Sequence, residues 1–307
     1  NWQKAVMSYV AGFQYLRDRM NMDQDFTSAD IYTLLQRQNS RVLSQEIAIK
    51  NRPGAWRHWE WSMGVSGFRQ WLDTSGPVTF RSEGVQWINA NMNKNANAHM
   101  PEIVQGPIKM QMLFSDAIQG DGLLFSGRFS TPTGSGAVYH QSTITDLLGA
   151  KGLDLTLGLR LDYEKMKIDY HTGYDFEHEY SLMGHLTMPG MERDITMVPA
   201  ATYHVQNALQ GRLSHDYLQL LPRFSLQYRI GSSNLYATVS RGYRSGGFNI
   251  QQFSGALQRM MQADIMQDVA NVSLPILQSQ PMVPQDVKDR VSALMQGMAQ
   301  KPDIDPR

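Results

Sequence analysis

The sequence predicts an all-β fold: a partial antiparallel transmembrane β-barrel with about seven recognisable strands and long loops, some of them helical. Three observations predict it. Segments in which apolar and polar residues alternate recur along residues 5–249, and a period of two gives a strand one apolar and one polar face. The joins alternate between tight turns and loops far longer than compact soluble domains use. One strand carries Trp59 and Trp71 on the same face. At ~3.3 Å per residue and a tilt of ~40°, the span between them is about 30 Å, the separation of two aromatic girdles around an apolar membrane band.

The strands follow in order. Ala5–Tyr15 is the first. A polar loop at about 16–41 precedes the second, Leu43–Ile49, and within the loop Ser28 is placed to cap a short helix through Gln38. The turn Asn51-Arg52-Pro53-Gly54 leads to the third strand, His58–Trp71. Residues 72–135 read as a long polar region rich in Asn, Gly and Met. Ala137–Leu147 is the fourth strand, with weaker alternation, and Leu153–Tyr163 the fifth and cleanest. Its Leu153, Leu155, Leu157, Leu159 and Leu161 face one way, against Asp154, Thr156, Arg160 and Asp162. After a polar, His-containing loop at 165–214, Pro222–Ile230 and Leu235–Asn249 form a hairpin about Gly231-Ser232-Ser233-Asn234. Residues beyond 250 show helical spacing at Gly255–Val269 and Pro284–Met298, interrupted by prolines.

Composition narrows the function classes. The 307 residues carry 28 Lys+Arg against 28 Asp+Glu, so a nucleic-acid partner, which needs a basic surface, is not expected. Cysteine is absent, which excludes disulfides, thiolate metal sites and thiol nucleophiles, and fits an oxidising compartment. No apolar run approaches the length of a membrane helix. The first residues read as neither an initiator nor a signal peptide, so the chain is expected to be an internal piece of something longer.

The stretch Leu235-Tyr236-Ala237-Thr238-Val239-Ser240-Arg241-Gly242-Tyr243-Arg244-Ser245-Gly246-Gly247-Phe248-Asn249 resembles a barrel strand of TonB-dependent outer-membrane receptors. Leu155–Glu164 and Ser44–Ile47 resemble others, in the right order. The resemblance covers most of residues 1–249; the remainder reads as a variable outer loop. It implies a 22-stranded barrel around a plug, set in the lipid of the bacterial outer membrane. External loops would capture a small-molecule ligand such as a ferric siderophore or other iron complex, and a TonB-type energy-coupling protein would drive import. No cofactor and no enzymatic activity are expected. Segments 16–41, 72–135, 165–214 and 250–307 would be external; 50–57, 148–152 and 231–234 would face the periplasm. The chain departs from the pattern in showing no plug and no TonB-binding box. Seven strands alone leave two unpaired edges, which lipid does not tolerate. The rival reading is a soluble or surface-attached β-sheet module that binds glycans through its aromatics.

Candidate ligand-binding residues fall in two groups. His171, His178 and His185, with Asp175, Glu177 and Glu179 among them, offer imidazole and carboxylate ligands for an iron complex, against the plainer reading of a solvated loop. Arg160, Arg229 and Arg244 are polar-face cations suited to handling solute or to holding a plug. Other patterns fail on chemistry. Ser214-His215-Asp216 cannot align as a triad, because neighbouring strand residues point to opposite faces. Asn21-Met22-Asp23-Gln24-Asp25 has calcium-loop spacing, but Phe26 and Tyr32 stand where Gly and Glu are needed. Gly134-Ser135-Gly136 lacks the third glycine of a dinucleotide loop. The 19 methionines read as packing residues before copper ligands. Arg69 and Arg241 are misfits, sharing parity with apolar neighbours.

Overall fold

The computed structural model describes residues 3–23, 25, 27–52, 54–250, 252–281 and 283–301. Their backbone forms one antiparallel 11-stranded sheet with three α-helices. The strands are β1 (Ala5–Asp23), β2 (Tyr32–Asn51), β3 (Trp59–Ser75), β4 (Val78–Arg81), β5 (Glu102–Gln105), β6 (Ile108–Ile118), β7 (Gly122–Ser130), β8 (Thr133–Ile144), β9 (Leu153–Met188), β10 (Met191–Ile230) and β11 (Ser233–Ser240). The helices are α1 (Ser82–His99), α2 (Gln252–Ser279) and α3 (Gln285–Met298). Among the described residues the sheet does not close, and β1 and β11 are its edges.

All seven expected strands are present, but the last, expected over Leu235–Asn249, ends at Ser240 and continues as irregular chain; β4 to β7 are additional, within the long polar region expected at 72–135. The loops expected at 16–41 and 165–214 are corrected. β1 and β2 run as a ladder from Ala5↔Asn51 to Asp23↔Thr33, so the short helix expected through Gln38 is strand instead. β9 and β10 form one hairpin, paired up to Met188↔Met191. It turns through Pro189-Gly190, where Gly190 takes φ +79°, a left-handed conformation that suits glycine. α2 runs through Pro275 instead of stopping near Val269.

The reason the long strands looked short is a reversal of faces. Along β9 the exposed residues are Leu157, Leu159, Leu161 and Tyr163, then Lys165, Lys167, Asp169 and His171. The opposite face carries Arg160, Asp162 and Glu164, then Ile168, Tyr170, Tyr174 and Phe176. On β10 the exposed side changes from apolar Leu218 to charged Asp216, directly across from Tyr163 and Lys165. Both strands therefore switch at one level. Below it, apolar side chains lie bare of protein, with Leu218 65 % and Val239 74 % exposed. The band from Leu153 to Tyr163 matches the roughly 9–11 residues with which a tilted strand crosses a bilayer. Above it, the outer side is charged and the inner side is a core.

The two misfit arginines find explanations. Arg69 lies over the Trp71 ring, 5.7 Å from its centroid, and across Gly134, where an added Cβ would stand 2.9 Å from its guanidinium. A cation on an aromatic face at the edge of the apolar band is a stable arrangement. β11 ends at Ser240, and the Arg241 guanidinium donates to Gln219 Oε1 at 3.1 Å. Gln219 pairs with Asp162 on the polar face.

One glycine carries a cross-strand bond. Tyr139 on β8 reaches over β3 to donate to Glu46 Oε1 on β2 at 2.6 Å, passing across Gly64. A Cβ at Gly64 would stand 2.6 Å from the Tyr139 hydroxyl and 2.7 Å from the Ile47 carbonyl oxygen. Gly64→Ala is expected to expel Tyr139 and destabilise the sheet by about 1–3 kcal/mol, read as an earlier denaturant midpoint; an unchanged midpoint would refute the crowding argument.

The helices lie on the covered side of the upper sheet. α2 buries Phe253, Leu257, Met261, Ile265, Val269 and Leu277 and leaves Gln258, Gln262, Gln267 and Asn271 exposed. Met112, Met260, Met261 and Met266 join this core, and Met92, Met100 and Met110 pack on it, as the packing reading of the methionines expects. α1 is fixed by asparagines. Asn97 Nδ2 donates to the Phe114 carbonyl at 2.8 Å while its Oδ1 accepts the Phe114 N–H at 2.7 Å. Asn93 does the same to Asp116 at 2.9 and 2.8 Å, and Asn89 to Ile118 at 3.3 and 2.9 Å. Four helical residues rise ~6.0 Å and two strand residues ~6.8 Å, so the rows stay in step. The side chains thus act as a neighbouring strand and satisfy an edge of β6 that would otherwise be unpaired.

Candidate functional site

The chemistry-bearing residues gather where the helices meet the covered face, outside the membrane band. His178, on β9, points inward because residues of even number above the face reversal are the covered ones. Its Nδ1 lies 2.9 and 3.0 Å from the two carboxylate oxygens of Asp116 on β6, and both side chains are fully buried. On its other side Nε2 stands 3.6 Å from Asp268 Oδ2 on α2. Burial works to lower the His178 pKa, but the hydrogen bond and charge of Asp116, then those of Asp268, outweigh it and hold the pKa above the ordinary value. Burial raises the pKa of Asp116, with His178 opposing. The Tyr203 ring packs 5.6 Å away. The His178 ring, bonded to Asp116 through Nδ1 and with Nε2 facing Asp268 beyond hydrogen-bond distance, brings β6, β9 and α2 together.

A second polar group centres on Asp264, one turn earlier on α2. Tyr174 donates to Asp264 Oδ2 at 2.6 Å, Asn207 Nδ2 donates to the same oxygen at 2.6 Å, and Lys301 Nζ lies 2.8 Å from Oδ1. Burial works to raise the Asp264 pKa, but Lys301, Tyr174 and Asn207 hold it below the usual value. Burial and the Asp264 carboxylate push the Tyr174 hydroxyl far up. Tyr180 shares a 2.7 Å bond with Ser273 and is pushed up to about 12, mainly by burial.

The six residues singled out from the sequence do not come together. His171, His178 and His185 are spaced by odd numbers along one strand, so they alternate faces. His171 is exposed on the outer side. His185, half-buried on the same side, bonds Asp194 across the hairpin at 2.7 Å, and that contact raises its pKa. His178, expected as a loop ligand, is corrected to a core residue, because the covered face is already apolar at its level. Arg160 donates from Nε to Asp162 at 2.8 Å and lies 5.9 Å over the Tyr139 ring. Arg229 reaches Asp154 at 3.1 Å, and Arg244 is exposed in the irregular segment after β11. Among the described residues no group of three or more His, Asp or Glu side chains is placed to hold a metal ion. Asp25 organises its own turn, accepting the N–H groups of Thr27, Ile31 and Tyr32. Its pKa falls to about 2, chiefly through the Thr27 hydroxyl and N–H. Gln24 and Phe26 of the calcium-like motif lie outside the described residues. His215 stacks on Phe248 while Ser214 and Asp216 point to the other face, so no triad forms.

A bare apolar band, aromatic at its ends, with a polar face behind it and a helical insertion above, defines a wall of a transmembrane β-barrel. The chain belongs to the TonB-dependent receptors: the family model described as "TonB dependent receptor-like, beta-barrel" matches residues 1–280. This is a family of outer-membrane receptors and transporters, not of enzymes. Among solved structures, the ferric yersiniabactin uptake receptor FyuA from Yersinia pestis is similar at 11 % identity, over 80 % of this chain and 48 % of that one, with a TM-score of 0.20. The chain spans about half the length of that receptor. No curated protein matches.

Proposed function

We propose that this chain is wall and ligand-facing insertion of an energy-coupled receptor in the bacterial outer membrane, importing a small molecule, with an iron complex as the substrate class. The observation that supports it best is the reversal of faces in register on β9 and β10: one side meets lipid along a membrane-high band, while the helices sit beyond the band. Lipid surrounds the apolar side, and a TonB-type protein supplies the energy. Arg160 and Arg229 line the polar face, where they meet ligand or plug; His171, His185 and Arg244 are further proposed ligand contacts. The choice of an iron complex rests on the family resemblance and on the imidazole and carboxylate groups of the outer side.

Deleting the gene that carries this chain is expected to abolish uptake of a radiolabelled ferric chelate under iron limitation, with restoration by the intact gene and loss on collapsing the proton-motive force. Uptake that survives deletion across hydroxamate, catecholate and thiazoline chelates would remove the iron reading. Orientation is tested separately. A cysteine at Gly190, on the long hairpin, is expected to react with an impermeant maleimide in intact cells, and one at Gly54 is not; the reverse pattern would invert the assignment.

A further inference from the structure

We propose that the lipid-facing side of β3, β8 and β9 holds one diacyl phospholipid at a defined place, with an ester carbonyl on His140 and the acyl chain in an apolar groove above it. The starting point is a break in the apolar band. On the bare face of β8, Ser142 and His140 occupy successive rows. Ser142 lies between Trp61 and Leu157, and His140 between Met63 and Leu159. All four neighbours are apolar. His140 is exposed on this side, and an ionisable side chain facing hydrocarbon is costly and points to a function. It stands four residues above the Trp59 row, a rise of about 10 Å at ~3.3 Å per residue and a tilt of ~40°. The imidazole therefore lies inside the band.

The polar groups form a relay. Trp59 Nε1 donates to Ser142 Oγ at 3.1 Å, and Ser142 Oγ lies 2.9 Å from His140 Nε2. An indole N–H can only donate, so the Ser142 oxygen accepts it, and the hydroxyl hydrogen is free for Nε2. The imidazole hydrogen is then on Nδ1, which has no hydrogen-bond partner among the described residues. A donor left open in hydrocarbon calls for an acceptor. Acyl tails have none, and the ester carbonyls are the acceptors that a phospholipid sets deepest in the membrane. The groove supplies the other half of the site. It has a volume of about 620 Å³ and is lined by Met63, Val65, Val138, Leu159, Leu161 and Leu220. It begins at the His140 row and continues over the next row towards the middle of the band, the direction an acyl chain takes from its ester. Headgroup, carbonyl and chain thus meet Trp59, His140 and the groove in that order.

The inference rests on the membrane band and is independent of which molecule is imported. The receptor that carries this chain is purified in lauryldimethylamine oxide, a detergent without esters, and mixed with equal amounts of dipalmitoyl phosphatidylethanolamine and its dihexadecyl ether analogue. The two lipids differ in their carbonyls alone. Native mass spectrometry is expected to show the ester lipid retained about fivefold over the ether. His140→Leu, which suits a lipid-facing position, is expected to remove that preference, and His140→Gln, whose amide still donates, to keep part of it. An ester lipid with a diazirine in its acyl chain is expected to label β8 and β9 at the groove. Equal retention of the two lipids, a preference that survives His140→Leu, or labelling spread evenly along the bare face would overturn the site and leave the membrane wall standing. So would disulfide-linked pairs formed in membranes by His140→Cys, which would assign this face to a second copy of the chain. A receptor recovered from the aqueous phase without detergent would overturn the wall itself, and the site with it.

Discussion

Replacing His178 by alanine is expected to destabilise the helical insertion by about 3–5 kcal/mol, because it leaves a fully buried carboxylate without its partner. Asp116 has no accessible surface, and its side chain meets His178 on both oxygens. Asp268 loses its tie to the sheet at the same time. The measurement is chemical denaturation in detergent, with proteolysis of α2 as a local readout. An unchanged midpoint and intact α2 protection would refute the expectation. His178→Ala together with Asp116→Leu is expected to recover much of the loss, since an apolar pair removes the uncompensated charge.

The same site sets a pH dependence. The folded pKa of His178 is raised above the ordinary 6.5, so the folded state binds more protons than the unfolded chain between those two values. That contribution is fully present below about pH 6.5 and is lost as pH rises through the folded pKa. Asp116, also raised, has the same sign from its ordinary 3.8 upward. Stability is therefore expected to fall on the alkaline side, and the His178→Ala protein to show a shallower fall. A rise in stability across that interval would contradict the assignment.

Asn93→Ala is the second large effect. It removes both hydrogen bonds to the Asp116 backbone. Each buried backbone group left unpaired costs about 1–3 kcal/mol, so the loss is roughly twice that. Asn93→Asp does not rescue it, since a carboxylate accepts the N–H but cannot donate to the carbonyl. Because Asn93 holds the backbone of Asp116 and His178 its side chain, the two substitutions share a partner and are expected to combine less than additively. Strict additivity in a double-mutant cycle would show that the two contacts act separately.

The membrane-crossing part of the fold was legible in the sequence. Alternation at Leu153–Tyr163 and Phe224–Ile230, and at Trp59–Val65 with Trp71 in phase, needs no tertiary information, because a period of two assigns faces directly. The upper halves of β9 and β10 were not, and for a specific reason. At Glu164–Ile168 the apolar face changes sides, and a pattern search that follows one phase stops there. Of the short strands in this polar segment, β5 and β6 form a tight local hairpin, while β4 and β7 hide because they pair with β2, β3 and β9, distant in the chain. The spacing of Asn89, Asn93 and Asn97 was visible, yet a row of asparagines on a helix has meaning only beside a strand whose two-residue step nearly equals the helix's four.

The histidines show the same division. Sequence determined that His171, His178 and His185 are polar and near carboxylates, and that alternating parity sets His178 apart from the other two. It could not say that Asp116, in another strand, and Asp268, in a helix far along the chain, close on His178 from two sides. Period and composition decide which residues share a face, since those follow from local backbone geometry. Which face is covered at each height, and by what, depends on contacts between distant segments, and only the tertiary structure decides that.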